Sequence, residues 1–153
     1  MTKFLATKTG QKLAYSFTKG TGPTVVFLGG FKSDMEGSKA IFLEKWAKKR
    51  NRSFLRFDYS GHGQSSGDFL NLGIGDWLND TKQIIELTQN NGLILIGSSM
   101  GGWISLLLSR ELGSRLKGLI AIAAAPDFTE DSMWKNFTED QKKEVLNKGV
   151  LYL

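Results

Sequence analysis

Short, nearly unbroken apolar runs set the strongest limit on what this chain folds into. Thr24 to Leu28 reads TVVFL and Leu93 to Ile96 reads LILI, and Ser53 to Phe57 (SFLRF) is close to the same kind. Runs of this length without polar alternation are strands buried on both faces. A strand of that sort needs helices above and below it. The intervening segments supply them. Ser38–Lys49 has helical spacing, with Ile41, Phe42, the stem of Lys45 and Trp46 expected on its inner face. Gly75–Thr88 carries Trp77, Thr81, Ile84, Ile85 and Thr88 at the same period, and Trp103–Leu112 is a third helix, opened by small residues and closed before Gly113. Lys3–Thr7 and Lys12–Thr18 read as a leading pair of strands around a Thr9-Gly10 turn, followed by a Gly20–Pro23 loop. Leu119–Ala123 starts a further strand that runs into Pro126, and Phe128–Trp134 and Glu139–Lys148 read as short helices. Strands alternating with helices imply right-handed β-α-β units and an α/β fold with a mostly parallel sheet. The 153 residues carry no repeat, low-complexity stretch or linker, so one domain is expected.

Composition removes several kinds of chemistry. With no cysteine, disulfides, thiolate catalysis and Cys-type zinc sites are excluded. The single histidine, His62, excludes a multi-histidine metal site within one chain. No metal or organic cofactor is implied. The longest apolar run, Leu119–Pro126, falls far short of the ~18 residues of a membrane span. Met1–Gly10 has no apolar signal region. These features point to a cytoplasmic protein. The net charge of +5 is uneven: Lys3, Lys8, Lys12, Lys19 and Lys32 precede the first acid, Asp34, and Lys45, Lys48, Lys49, Arg50, Arg52 and Arg56 form a second basic stretch. Three of these cations fall at a helix C-terminus, where they meet the negative end of the dipole. No nucleic-acid-binding motif accompanies them, so they read as a solvated face and no nucleic-acid partner is expected.

The chemistry concentrates in three loops. Gly97-Ser98-Ser99-Met100-Gly101 matches G-x-S-x-G directly between the LILI strand and a helix. A tight strand-to-helix turn needs small residues beside the serine, and the helix N-terminus then aims amides at a reacting oxygen. Ser99 is the candidate nucleophile. Gly29-Gly30-Phe31 follows the TVVFL strand, where a second oxyanion-binding amide belongs. The backbone N–H groups of Phe31 and Met100 are the candidate oxyanion hole. Asp58-Tyr59-Ser60-Gly61-His62-Gly63-Gln64-Ser65-Ser66 suits a loop held by side-chain to backbone bonds, with His62 a brace rather than a base.

Together these motifs resemble the α/β-hydrolase superfamily in its N-terminal part. Gly30 to Met35, Phe54 to Gly63, Gly97 to Trp103 and Ala123 to Phe128 are most similar to a bacterial and mitochondrial branch that includes an acyl-glucuronide esterase and protein depalmitoylase. The resemblance spans essentially the whole chain. It implies a sheet ordered 1-2-4-3-5-6-7-8, Ser99 after strand 5, and acyl transfer to serine followed by hydrolysis of a carboxylic ester or thioester. It also implies about 250 residues. On that count residues 1–126 are core, residues 127–153 begin a cap, and strands 7 and 8 are missing. The triad order is Ser, Asp or Glu, then His, so the catalytic acid and histidine would not lie in this chain. No histidine follows Ser99, and Asp127 is assigned a loop or cap role. The expectation is a serine hydrolase half with little turnover alone. Its partner would be a complementary C-terminal half, or a second copy paired through the bare strand-6 edge. The alternative is a non-catalytic product that binds acyl ligands or a protein.

Overall fold

The computed structural model describes residues 1–89 and 92–151. Six strands form one sheet: β1 (Lys3–Ala6), β2 (Lys12–Thr18), β3 (Thr21–Leu28), β4 (Arg52–Phe57), β5 (Leu93–Ser98) and β6 (Leu116–Ile122). Their spatial order is β1-β2-β4-β3-β5-β6, which is the first part of the expected order. β1 and β2 are antiparallel to their neighbours, and β4-β3-β5-β6 are parallel. Helices α1 (Ser38–Lys49), α2 (Ile74–Ile84) and α3 (Met100–Leu112) connect the parallel strands, and α4 (Glu139–Lys148) follows a wide π-helical turn at Thr129–Trp134. Among the described residues no helix is long and apolar enough to cross a membrane.

The continuous apolar strands are explained by two cores. Val26 and Leu28 of β3 join Leu55, Phe57, Leu93 and Leu95 against α2 and α3. Val25 and Phe27 turn the other way and join Phe54 and Ile96 against Ala40 and Ala47 of α1. Successive residues of one strand thus feed opposite layers.

Several boundaries differ from expectation, among them that of α2, which ends at Ile84 and tightens into a 3-10 turn over Ile85–Thr88. β3 begins at Thr21 rather than Thr24, and the Gly22-Pro23 pair is absorbed by a register irregularity between Thr21 and Val25. α3 begins immediately after Ser99, so Gly101 and Gly102 are helical. β6 starts at Leu116 and ends at Ile122, whereas the sequence suggested Leu119–Ala123.

The inner face of α1 is a larger correction. Ala40, Glu44 and Ala47 are buried there. Ile41 and Trp46 are only partly covered, Lys45 is exposed and Phe42 is 69% exposed. Glu44 is buried because it has partners. Its carboxylate accepts from Arg56 at 3.1 Å, from the Ser16 hydroxyl at 3.0 Å and from the Thr18 hydroxyl at 3.2 Å. A pattern read from hydrophobicity alone turns away from a face built of alanine and a paired acid.

Candidate active site

β5 delivers Ser99 to the carboxyl edge of the sheet, where parallel α/β sheets place their ligands. Ser99 sits at φ 53°, ψ −119°, a conformation that costs an L-residue on the order of 1–3 kcal/mol. The surrounding structure holds it there. The Ser99 amide donates to the Ile122 carbonyl at 3.0 Å, and its own carbonyl accepts from the amides of Gly102, Trp103 and Ala125. The flanking glycines are steric requirements. A Cβ on Gly97 would run into the Gly101 carbonyl and Ser105, and one on Gly101 would run into the Leu28 and Gly29 carbonyls. The first turn of α3 is therefore packed against the end of β3.

That packing brings the Gly29-Gly30-Phe31 loop to Ser99. A Cβ placed on Gly30 would lie 3.4 Å from the Ser99 Cβ. Among the described residues, neither the Phe31 nor the Met100 amide has a hydrogen-bond acceptor. Met100 opens α3, where the first N–H groups have no partner within the helix. No other side chain among the described residues hydrogen-bonds the Ser99 hydroxyl. Ser99 is half-buried and borders a groove of about 270 Å³, with Gly30, Ser33, Asp34, Ser38 and Lys39 on its walls. On another side the Phe31 ring meets Phe69 at 5.2 Å and Phe128 at 5.7 Å, and Phe128 meets Trp103 at 5.9 Å. The result is an apolar wall anchored on the loop beside the serine.

His62 is not at this centre. It is 4% exposed. Its Nε2 accepts from the Lys32 amide at 3.3 Å, so its Nδ1–H donates to the Ser60 carbonyl at 3.2 Å. Tyr59, Phe69 and Trp77 enclose the ring. His62 is a brace between two loops, as its glycine-flanked position suggested. Asp58 is a second brace, and its partners are invisible in sequence. One carboxylate oxygen accepts from the Met35 amide at 2.6 Å and the other from the Gln64 amide at 2.8 Å. Asp80 holds the same loop through the Ser60 amide at 2.8 Å. Two carboxylates therefore fix the 58–66 loop, which in turn holds the Phe31 loop through Lys32 and Met35. Asp127 is exposed at φ 51°, and its carbonyl starts the next helical turn.

Burial pushes the Asp58 carboxyl above its ordinary pKa, despite the two amides that favour the ionised form. Asp80 is raised for the same first reason. A raised folded-state pKa means that folding penalises the charged form. The contributions of these two groups to stability therefore improve as pH falls through their folded pKa values toward the unfolded ones. Asp58→Asn removes the Asp58 share of that dependence and leaves the Asp80 share in place. It also sets an NH2 group against one of the two amides, and is expected to cost about 1–3 kcal/mol in urea unfolding at neutral pH.

A largely parallel sheet in this strand order, turning into a helix at a strained serine, is the arrangement of the α/β-hydrolases. Comparison with known proteins agrees. The family model described as serine aminopeptidase, S33, matches residues 21–148, and the chain belongs to that family within the α/β-hydrolase superfamily. It is similar to the human palmitoyl-protein thioesterase ABHD10, mitochondrial, with 37% identity over 138 residues, covering 90% of this chain and 45% of that protein. A putative esterase/lipase 2 of Mycoplasma genitalium is 32% identical over 99 residues, covering 64% of this chain and 36% of its own length. Among solved structures, a putative hydrolase from Agrobacterium vitis superposes with a TM-score of 0.90 at 32% identity, covering 99% of this chain and 62% of that one. Alpha/beta hydrolase domain-containing protein 10 from mouse also gives 0.90, at 33% identity, covering 100% and 61%. The chain spans about half the length of the mammalian relatives it matches.

Proposed function

We propose that this chain is the nucleophile-bearing part of a serine hydrolase that cleaves small carboxylic esters or thioesters through an acyl-serine. Ser99 Oγ attacks the acyl carbonyl carbon, and the Phe31 and Met100 amides receive the developing oxyanion. The alcohol or thiol leaves with a proton, and water then releases the acid. The observation that carries this reading is the strained serine with the Gly30 backbone against it and two amides left without acceptors. The aromatic wall around Phe31 suits the acyl portion. The groove toward Ser33, Ser38 and Lys39 suits the polar leaving group.

The general base and its orienting acid come from outside these 153 residues. The only imidazole, His62, has both ring nitrogens engaged in the loop. Residues 127–153 begin the cap, and the missing acid and histidine arrive with strands that extend the sheet from β6, on further chain or on a second polypeptide. General-base assistance is worth roughly 10²–10⁴ in rate, so the 153 residues alone turn over slowly.

The test combines the chain with a C-terminal fragment bearing those strands and follows p-nitrophenyl acetate hydrolysis and fluorophosphonate labelling. Complementation should raise hydrolysis by about two orders of magnitude or more, and Ser99→Ala should abolish both signals. No gain over the separate pieces, or labelling that survives Ser99→Ala, defeats the proposal. The commitment of His62 favours one other reading, a non-catalytic acyl-ligand or protein-binding module. That reading requires ligand affinity independent of Ser99 in a chain that never gains turnover.

A further inference from the structure

The basic stretch read from sequence as a solvated face carries more structure than that. Phe42 is 69% exposed on the side of α1 opposite Ala40, Glu44 and Ala47. Lys39, Lys45, Trp46 and Lys49 lie three, four or seven residues from it and so share its face. The three lysines and Arg50 are exposed, and none of the four is ion-paired among the described residues. The helix's one acid, Glu44, is turned inward to Arg56, with Lys48 beside it. An apolar ring is thus held in water at the centre of a cluster of cations. None of the other described residues covers most of it.

We infer that this face of α1 is a docking surface for an anionic lipid bilayer. Exposed aromatics ringed by Lys and Arg suit the headgroup boundary: the ring enters it, and the long cationic side chains stay at the phosphates. The surface is the convex outside of one helix, so its occupant is broad and deformable rather than a peptide seated in a groove. A single-stranded nucleic acid fits less well. Its bases need open aromatic faces, and the Trp46 ring is covered by the Arg50 guanidinium at 5.5 Å. The same helix begins at the rim of the Ser99 groove through Ser38 and Lys39. Docking would hold that groove next to a phase in which acyl substrates collect. The inference does not require Ser99 to be reactive.

Sedimentation of the chain with vesicles tests it. Binding to phosphatidylcholine vesicles containing phosphatidylserine should be about tenfold or more tighter than to phosphatidylcholine alone, and should weaken as salt rises. Phe42→Ser should weaken it about fivefold, and Lys45→Gln with Lys49→Gln should weaken it further. Circular dichroism controls for folding, which an exposed position leaves intact. Ser99→Ala should bind the same vesicles as well as the parent, so this outcome is separate from the fate of the hydrolase reading. Equal affinity for both vesicle types overturns the inference. So does a Phe42→Ser variant that binds undiminished, or a preference for an oligouridine over the anionic vesicles.

Discussion

Glu44→Leu should lower the free energy of unfolding by about 3–5 kcal/mol, measured in urea at neutral pH. The Arg56 guanidinium would remain buried after its inward partner is gone. Arg56 is 7% exposed and reaches Glu44 at 3.1 Å, the Met35 carbonyl at 2.8 Å and the half-exposed Glu36 at 2.8 Å. Glu36 keeps only a surface claim on it. The double variant Glu44→Leu with Arg56→Met should recover most of the loss, because well-packed apolar replacements for a buried ion pair are often neutral or stabilising. A double variant as unstable as the single one would show that the loss arises from packing against α1 rather than from the stranded charge. Acid has a distinct effect here. Burial pushes the Glu44 carboxyl up. The Ser16 hydroxyl, the Arg56 charge and Lys48 outweigh that and hold it below its ordinary value. A depressed folded-state pKa stabilises the protein above the unfolded pKa, and that stabilisation is lost as pH falls through the folded value. The loss therefore falls below about pH 4, opposite in sign to the gain from Asp58 and Asp80. Glu44→Gln should flatten the acid limb of stability while leaving the Asp58 contribution in place.

Gly101→Ala is expected to have the second large effect, and it should fall on stability and reactivity together. The added methyl would meet the Leu28 and Gly29 carbonyls, which are backbone and do not rotate away. Overpacking of this kind costs about 1–3 kcal/mol or more. Relief requires α3 and the end of β3 to separate, and that separation moves the Gly30-Phe31 loop off Ser99. Labelling of the complemented protein by a fluorophosphonate should fall by at least about tenfold in the Gly101→Ala variant, even under conditions where it stays folded. Ser105→Ala is the companion measurement. It deletes the hydroxyl that donates to the same Gly101 carbonyl at 2.7 Å without adding volume, so it should be milder in both respects. Equal labelling of the Gly101→Ala variant and the parent would mean that the loop is held in place by its own braces alone.

Much of this architecture is legible in the sequence. Strands buried on both faces leave a plain signature, and a serine between glycines at a strand end leaves another. Backbone geometry at such a turn admits few residue types, so local sequence is enough. What sequence concealed depends on contacts between distant segments. Nothing near Asp58 indicates that it holds the amide of Met35, and nothing near Glu44 announces Arg56. The inner face of α1 escapes a reading of hydrophobicity for that reason, since its large side chains lie outward and the buried positions are alanines and an acid. The Gly22-Pro23 pair reads as loop because its punctuation is local, while the pairing of Thr21 with Arg52 is not. The glycine-flanked setting of His62 suggests a brace, but its acceptor role toward the Lys32 amide depends on the fold.

One hydrogen bond has wider reach than its place suggests. The Ser99 amide is tied to Ile122, the last residue of β6, and among the described residues β6 has a paired neighbour on one side only, with Ile120 51% exposed. Outermost strands open more readily than central ones. Each fluctuation of that margin therefore loosens the anchor of the strained Ser99, and a strand laid along the open flank would stiffen it. A strand added along that flank is expected to slow deuterium uptake at the Ser99 amide, and uptake unchanged by such a strand would show that the two are uncoupled.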